Sequence, residues 1–406
     1  MGYTKDATKG VSWISLLRIL TRGITFIRLA ILGRLLTPTQ FGYFGIATLL
    51  LSLLEILTET GINVFLVQEK KQIKEYINSA WIVSIIRGIV LGCIIFISAP
   101  FIAVFFNAKD ATSVIMLVAV VPLIRGFINP AIISYQKDLL FHKEFRLRFI
   151  LFLVDALIAT IVAFFTRDAM SFAWGLIASA ILEVLLSYLL IPLWPRLTFT
   201  FHQIWYILKR GSWITLTSIF SYFAENGDNI TVGKLLGTNS LGIYQVAYKF
   251  STLPVSEITN VVNQVVFPVY AKFSDDKKRL WQAFVKVTIG SSFAAFGLGI
   301  FIYFFAGPLI LLLMGNQWAA AIPVINILVV YGILRTIFGN FAPLFLALKR
   351  QDYVAKMTFV RVATLLIAII LMVISYGMIG AGYAMILSIF AEIPVILYFT
   401  YKLFKK

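Results

Sequence analysis

Three arginines, Arg18, Arg22 and Arg28, lie inside one apolar segment running roughly from Val11 to Leu36. A guanidinium at the centre of a bilayer costs about 2.5–3.5 kcal/mol on insertion scales, so three in one helix are tolerable only where they face protein, water or a bound anion. A guanidinium keeps its charge in a low-dielectric site and grips phosphate or carboxylate oxygens in bidentate fashion. The chemistry on offer is anion binding within a membrane. Arg18 and Arg22 are four apart and share a helix face, while Arg28 is rotated by about 80° from Arg18 and is expected still to reach a wide cavity. Arg125 is a further intramembrane arginine of the same kind. A later segment has the opposite sign, with Glu225, Asn226, Asp228 and Asn229 in close succession. Acids in a membrane cavity commonly hold Na⁺ or relay protons, which makes Glu225 and Asp228 candidates for an ion-coupling site. Glu55 and Glu59 are four apart on the segment after the arginines and are candidate partners for Arg18. Asp155, Glu183, Glu257 and Glu392 are single intramembrane acids without a usable spacing and read as structural or interfacial.

The elements that must position these groups are membrane helices. The 406 residues are 60% hydrophobic and only 13% charged, with a mean hydropathy of +0.92; soluble domains average about 45–50% apolar and about 25% charged. The class is an all-α polytopic membrane protein. A net charge of +17 would suggest nucleic acid in a soluble chain, but here it reads as basic loops against an anionic inner leaflet. Cys93 is the single cysteine, so there is no disulfide framework. His142 and His202 lie in charged connections without clustered ligands, so no metal is expected. The first apolar run is too long and too charged for a cleavable signal peptide. No Gly-rich phosphate loop is present, which excludes ATP hydrolysis by this chain.

Apolar runs of about 20 residues give twelve expected spans: 11–33, 41–67, 79–106, 112–135, 147–165, 171–194, 211–236, 241–269, 283–305, 321–347, 357–376 and 380–401. The short run from Leu309 to Met314 is expected at a surface. The connections alternate in charge. One set carries most of the loop lysines and arginines, from Lys5 and Lys9 through Lys70, Lys143, Arg210, Lys278 and Arg350 to Lys405; the other holds only Arg34, Lys109 and Arg167. The positive-inside rule then puts both termini in the cytoplasm. Lys234, Lys249, Lys286 and Arg361, at the ends of spans, are read as snorkelling to an interface.

The chain also matches itself at an offset of 200 residues. Ser12-Trp13-Ile14 recurs as Ser212-Trp213-Ile214, Gly33-Arg34-Leu35-Leu36 as Gly233-Lys234-Leu235-Leu236, and Gly42, Ala47 and Leu53 as Gly242, Ala247 and Leu253. Six spans separate the copies, so both cross in the same direction, a parallel repeat about an axis along the membrane normal. Two six-helix lobes around a central cavity are expected, residues 1–195 and 211–406, joined by a cytoplasmic linker at 196–210. The copies differ in charge: Arg28 aligns with Asp228, Arg22 with Tyr222, and Thr25 with Glu225.

The stretch from Leu29 to Ala47, with Gly33-Arg34-Leu35-Leu36-Thr37-Pro38-Thr39-Gln40-Phe41-Gly42 at its centre, followed by Glu59-Thr60-Gly61-Ile62, resembles the opening of the polysaccharide exporters of the MOP superfamily, the Wzx-type oligosaccharide flippases. Gln40 stands where the commoner residue is acidic. The physical content of the motif is a helix-ending turn at Thr37-Pro38, with proline at the first position of the next helix.

The resemblance implies a transporter, not an enzyme. Its substrate would be an oligosaccharide on undecaprenyl diphosphate, moved from the inner to the outer leaflet of the bacterial plasma membrane by alternating access, with Na⁺ or H⁺ as coupling ion and other polysaccharide-assembly proteins as partners. The arginines Arg18, Arg22, Arg28 and Arg125 would then meet phosphates or acidic sugars. A lipid II flippase or a multidrug antiporter of the same superfamily remains open, although a carrier of cationic drugs has little use for three arginines. A membrane glycosyltransferase or polymerase would need a folded outer loop or an acidic metal motif; the longest outer connection, Ala306–Ala320, carries no charge.

Overall fold

Proline and glycine set the breaks in an almost wholly helical chain. The computed structural model describes residues 2–58, 76–196, 198, 201–273 and 275–405; the side chains of 2–12, 14, 15, 201–221 and several positions from 253 to 268 lie outside the description. Glu59 is outside it, as is the Thr60-Gly61-Ile62 end of the motif. No strand occurs among the described residues. Packing divides the chain into two units, Met1–Glu225 and Asn226–Lys406.

In the first unit, α1 (Gly2–Leu35) carries the three arginines and α2 (Pro38–Leu57) follows directly. Pro38 occupies the first helical position, where its missing N–H leaves nothing unpaired. Thr37 Oγ1 accepts from the Gln40 N–H, and Gln40 Oε1 accepts from the Thr37 N–H at 2.9 Å. This reciprocal capping box satisfies two donors at the start of α2. Among the described residues there follow α3 (Ile77–Phe105), α4 (Ala111–Val118), α5 (Val120–Arg125), the short α6 (Ser134–Lys137), α7 (Phe141–Thr166) and α8 (Met170–Leu189).

The second unit holds the end of α9 (Phe201–Lys272), then α10 (Lys277–Met314), α11 (Ala321–Gly339), α12 (Phe341–Ala347) and α13 (Gln351–Phe404). A straight α9 of 72 residues would run for about 108 Å at 1.5 Å per residue, more than three times the hydrocarbon thickness of about 30 Å. It is instead broken at Gly237, whose φ of 84° and ψ of 178° are not helical. Gly377, with φ 62°, breaks α13 in the same way. Glycine alone visits this region without a Cβ penalty. The Gly237 break falls 200 residues after Thr37, and within the two units Leu32 and Val232, Ile46 and Val246, and Ala47 and Ala247 are all buried.

Seven helices among the described residues are long and apolar enough to cross a membrane, or eight when the bent pair Ala111–Arg125 and Pro130–Lys137 counts as one crossing. Phe165, Leu189, Phe293 and Ile367 are among the most exposed side chains, as a hydrocarbon solvent allows. The chain is a multi-pass membrane protein.

One expectation is corrected. The segment 112–135 is not one straight helix; it bends by 77° at residues 126–129. The residue before a proline is pushed out of the helical region, and Asn129, before Pro130, is extended with ψ 113°. Its side chain mends the break: Oδ1 accepts from the Ala131 N–H at 3.0 Å and Nδ2 donates to the Leu193 carbonyl at 2.8 Å. The run Leu309–Met314, expected at a surface, is helical. It is the end of α10, which continues through Pro308 and stops at Gly315 with φ 95°. One proline removes one backbone donor, and the apolar residues around it still favour helix where no water can solvate the backbone.

Candidate functional site

Within the first unit a cavity of about 1150 Å³ is lined by residues of α1, α2, α3, α5, α6, α7 and α8. Arg18 and Arg22 lie on its wall, one helical turn apart, with Leu17 and Thr21. The Thr21 hydroxyl donates back to the Leu17 carbonyl at 2.7 Å, so it adds no unpaired polar group. Among the described residues Arg87, Arg125 and Arg148 bring the lining arginines to five, against four lining acids, Glu55, Glu144, Asp155 and Glu183, a formal excess of one positive charge among those residues.

Arg125 ends α5, where the helix dipole favours a cation. Its Nη1 is 3.6 Å from Glu55 Oε1 and its Nε is 3.7 Å from Glu183 Oε2. Both separations exceed hydrogen-bond length, so the three groups attract through charge without spending the guanidinium donors. Close packing sets Arg125 in this place. A Cβ on Gly88 would come within 2.5 Å of the Pro122 carbonyl oxygen, and one on Gly126 within 3.0 Å of the Ser84 carbonyl oxygen. Small residues let helix backbones approach in a membrane, here bringing α3 and α5 together.

Arg87 closes the other side of the same group. Its Nη2 donates to the Glu55 carbonyl at 2.8 Å and its Nε to Thr58 Oγ1 at 3.1 Å, holding the C-terminal end of α2. Arg148 Nε donates to Glu144 Oε1 at 2.7 Å, one turn away on α7, and Gln136 Nε2 donates to the same oxygen at 2.7 Å.

Arg28 is placed differently from its expectation. It is not among the cavity's lining residues. Its Nη1 donates to Asp155 Oδ2 at 2.5 Å, and its guanidinium carbon lies 5.6 Å from the Phe172 ring centre. The rotation of about 80° from Arg18 turns it away from the cavity and toward α7 and α8. Asp155 is the member of the pair that lines the cavity, so it is more than a lone acid. A Cβ on Gly175 would fall 2.6 Å from both its carbonyl oxygen and Oδ1, so glycine leaves room for the carboxylate.

Of the two candidate partners of Arg18, Glu59 lies outside the described residues, and the carboxylate of Glu55 stands beside Arg125. Sequence reasoning assigned no partner to Glu183, Glu144 or Arg87. Their partners lie up to 58 residues away in sequence, and one signal was available only for Glu144 and Arg148, spaced four apart.

In the second unit Asp228 is buried, with 1% of its surface exposed. Its Oδ2 accepts from Tyr244 Oη at 2.8 Å, and its Oδ1 from the Asn229 N–H at 2.8 Å and Asn229 Nδ2 at 3.0 Å. Glu225, in the first unit, is exposed. Arg361, expected to snorkel, has its Nη1 3.6 Å from Oε2 of the buried Glu392. Among the described residues no group of three or more His, Cys, Asp or Glu could hold a metal ion.

Residues 31–323 match the family described as polysaccharide biosynthesis protein. The chain belongs to this family. Among its relatives is the teichuronic acid biosynthesis protein TuaB of Bacillus subtilis, 26% identical over 362 residues that cover 86% of this chain and 73% of that protein. The lipopolysaccharide biosynthesis protein WzxC of Escherichia coli is 24% identical, covering 87% of this chain and 72% of that one. Solved structures share the fold. The lipid II flippase MurJ in an inward closed conformation superposes with a TM-score of 0.78 at 15% identity, over 95% of this chain and 87% of that one. An inward-facing multidrug transporter of the MOP superfamily reaches 0.66 at 16% identity, over 94% and 93%. The cavity arginines Arg87 and Arg125 lie within the part of the chain that matches the polysaccharide biosynthesis family; Arg18, Arg22 and Arg28 precede it.

Proposed function

We propose that this chain is a flippase that carries a polyprenyl-diphosphate-linked oligosaccharide from the inner to the outer leaflet of the bacterial plasma membrane. The observation that carries the reading is the arginine-rich cavity of the first unit. A lipid diphosphate must cross about 30 Å of hydrocarbon, and fixed guanidinium groups replace the water its phosphates lose. Arg18, Arg22 and Arg125 are its contacts, and Arg28 joins them only if the Asp155 pair opens. Membership of the polysaccharide biosynthesis family supports a glycan cargo, and the arginines weigh against a carrier of cationic drugs.

In this reading the chain crosses the membrane twelve times, as two lobes of six helices at 1–195 and 211–406, with 196–210 as a cytoplasmic linker and both termini inside. The breaks at Thr37 and Gly237, 200 residues apart, support the parallel repeat, and the basic loops support the orientation. The chain is a secondary transporter without catalytic residues. Asp228, with Glu225 as its neighbour on the same segment, couples export to a Na⁺ or H⁺ gradient; the burial of the Asp228 carboxylate supports this. The test is deletion of the gene in its native host. The reading predicts lipid-linked oligosaccharide accumulating in the cytoplasmic leaflet. Normal surface polysaccharide in a host with no second exporter contradicts it.

A further inference from the structure

Among the described residues every carboxylate on the cavity wall sits on an arginine. Glu55 and Glu183 flank Arg125 at 3.6 and 3.7 Å, Glu144 holds Arg148 at 2.7 Å, and Asp155 holds Arg28. A cavity built only to attract anions has no need of four acids. Arg125 is the distinctive case. It is shared by two carboxylates approaching from different edges, Nη1 and Nε, and neither forms a hydrogen bond. Arg148, by contrast, is committed to Glu144 at full hydrogen-bond length. The side chains of Arg125, Glu55 and Glu183 are 38%, 37% and 27% exposed, so all three can be reached from the cavity.

We propose that Glu183, with Glu55, is an internal competitor for Arg125: an anionic ligand binds by displacing these carboxylates from the guanidinium, and their return drives its release. The inference rests on the lipid-diphosphate reading of the cavity and adds how the site lets its cargo go. Two carboxylates around one guanidinium imitate the paired negative charges of a diphosphate. Held at ion-pair distance without hydrogen bonds, they more than offset the charge of Arg125 while it waits, and they yield to phosphate oxygens that can take the bidentate geometry. A carrier has to bind tightly enough to load and weakly enough to unload. Glu183 sets that balance, acting on the substrate through Arg125 as a positioning residue.

The test is binding to the purified full-length protein in lipid nanodiscs, with geranylgeranyl diphosphate as the probe, beside export in cells. Glu183→Gln should tighten binding by about two- to fivefold, the range expected for removing one partly exposed competing charge, and should slow export because release becomes harder. Glu144→Gln removes the same unit of negative charge from the wall but not from Arg125, and should change binding by less than about twofold. In an Arg125→Gln background, Glu183→Gln should have no further effect. Equal tightening by Glu144→Gln and Glu183→Gln would mean that only the overall field matters and would overturn the proposal, as would unchanged binding in Glu183→Gln. If the wild type binds the probe but Glu183→Gln gains nothing, competition fails while the diphosphate reading stands. If neither binds it, both fail. If Glu183→Gln does not fold, Glu55→Gln tests the second competitor and should tighten binding in the same direction; no change there overturns the proposal.

Discussion

Arg28 Nη1 and Asp155 Oδ2 meet at 2.5 Å across 127 residues of sequence, joining α1 to α7 behind the wall of the cavity. With side chains only 14% and 10% exposed, this is a buried ion pair. Removing one partner of such a pair leaves an uncompensated charge and costs about 3–5 kcal/mol, whereas replacing both with apolar residues of similar volume is often neutral or stabilising. Asp155→Ala should therefore lower the melting temperature in detergent markedly, and Arg28→Met combined with Asp155→Leu should recover most of the loss. If the double replacement is as unstable as the single one, the pair is not the unit that matters.

Gln40 does two jobs with one amide. Its Oε1 completes the capping box with Thr37, and its Nε2 donates to the Arg167 carbonyl at 2.7 Å. Gln40→Glu should keep the cap and lose the donor, costing about 1 kcal/mol. Thr37→Ala should cost about 1 kcal/mol by removing the cap. Differential scanning of the two variants and their combination should give nearly additive losses, since they break different bonds.

Asn129 holds the 77° bend that follows Arg125, and none of its surface is exposed. Asn129→Ala leaves the Ala131 N–H and the Leu193 carbonyl without these bonds, a cost of about 1–3 kcal/mol for buried polar groups. Because the bend sets where α5 stops, the same change should reduce export beyond what the lower protein level explains. Export that falls only in proportion to protein level would separate the bend from function.

Asp228 is bonded to Tyr244 and Asn229, and the coupling proposal makes its charge essential. Asp228→Asn, alone and with Glu225→Gln, should abolish the sensitivity of export to ionophores. Transport and ionophore sensitivity that survive both changes would remove these two acids from the coupling mechanism.

The local grammar of the chain was legible. Thr37-Pro38 announced a helix end because capping and proline chemistry act over three or four residues, and the structure places Thr37 as the cap and Pro38 at the first position of α2. The anomalous cost of Arg18 and Arg22 in an apolar helix pointed to a polar cavity for the same reason, since insertion energy is a property of one segment. Partner choice was not legible. Asp155 and Glu183 looked like isolated acids because their arginines lie on other helices, and no spacing rule spans 58 or 127 residues. The pairing of Arg28 with Asp155 was not legible either, because a rotation of about 80° from Arg18 decides between a cavity and a neighbouring helix only once the positions of those helices are known. The bend at 126–129 carried a readable signal in Asn129-Pro130 that hydropathy alone smoothed over.

The proposed cargo of this cavity is a lipid diphosphate held by its arginines. The most direct measurement is flipping of a polyprenyl-diphosphate-linked oligosaccharide in proteoliposomes, followed by accessibility of the glycan to an enzyme outside the vesicle. The wild-type protein should move the lipid across the bilayer, Arg125→Lys should retain part of the rate because lysine keeps the charge but loses the bidentate fork, and Arg125→Gln should lose about tenfold or more, the scale of about 1.4 kcal/mol or more of lost interaction. Equal rates for wild type and Arg125→Gln, or transport of the lipid no faster than in empty vesicles, would contradict that assignment.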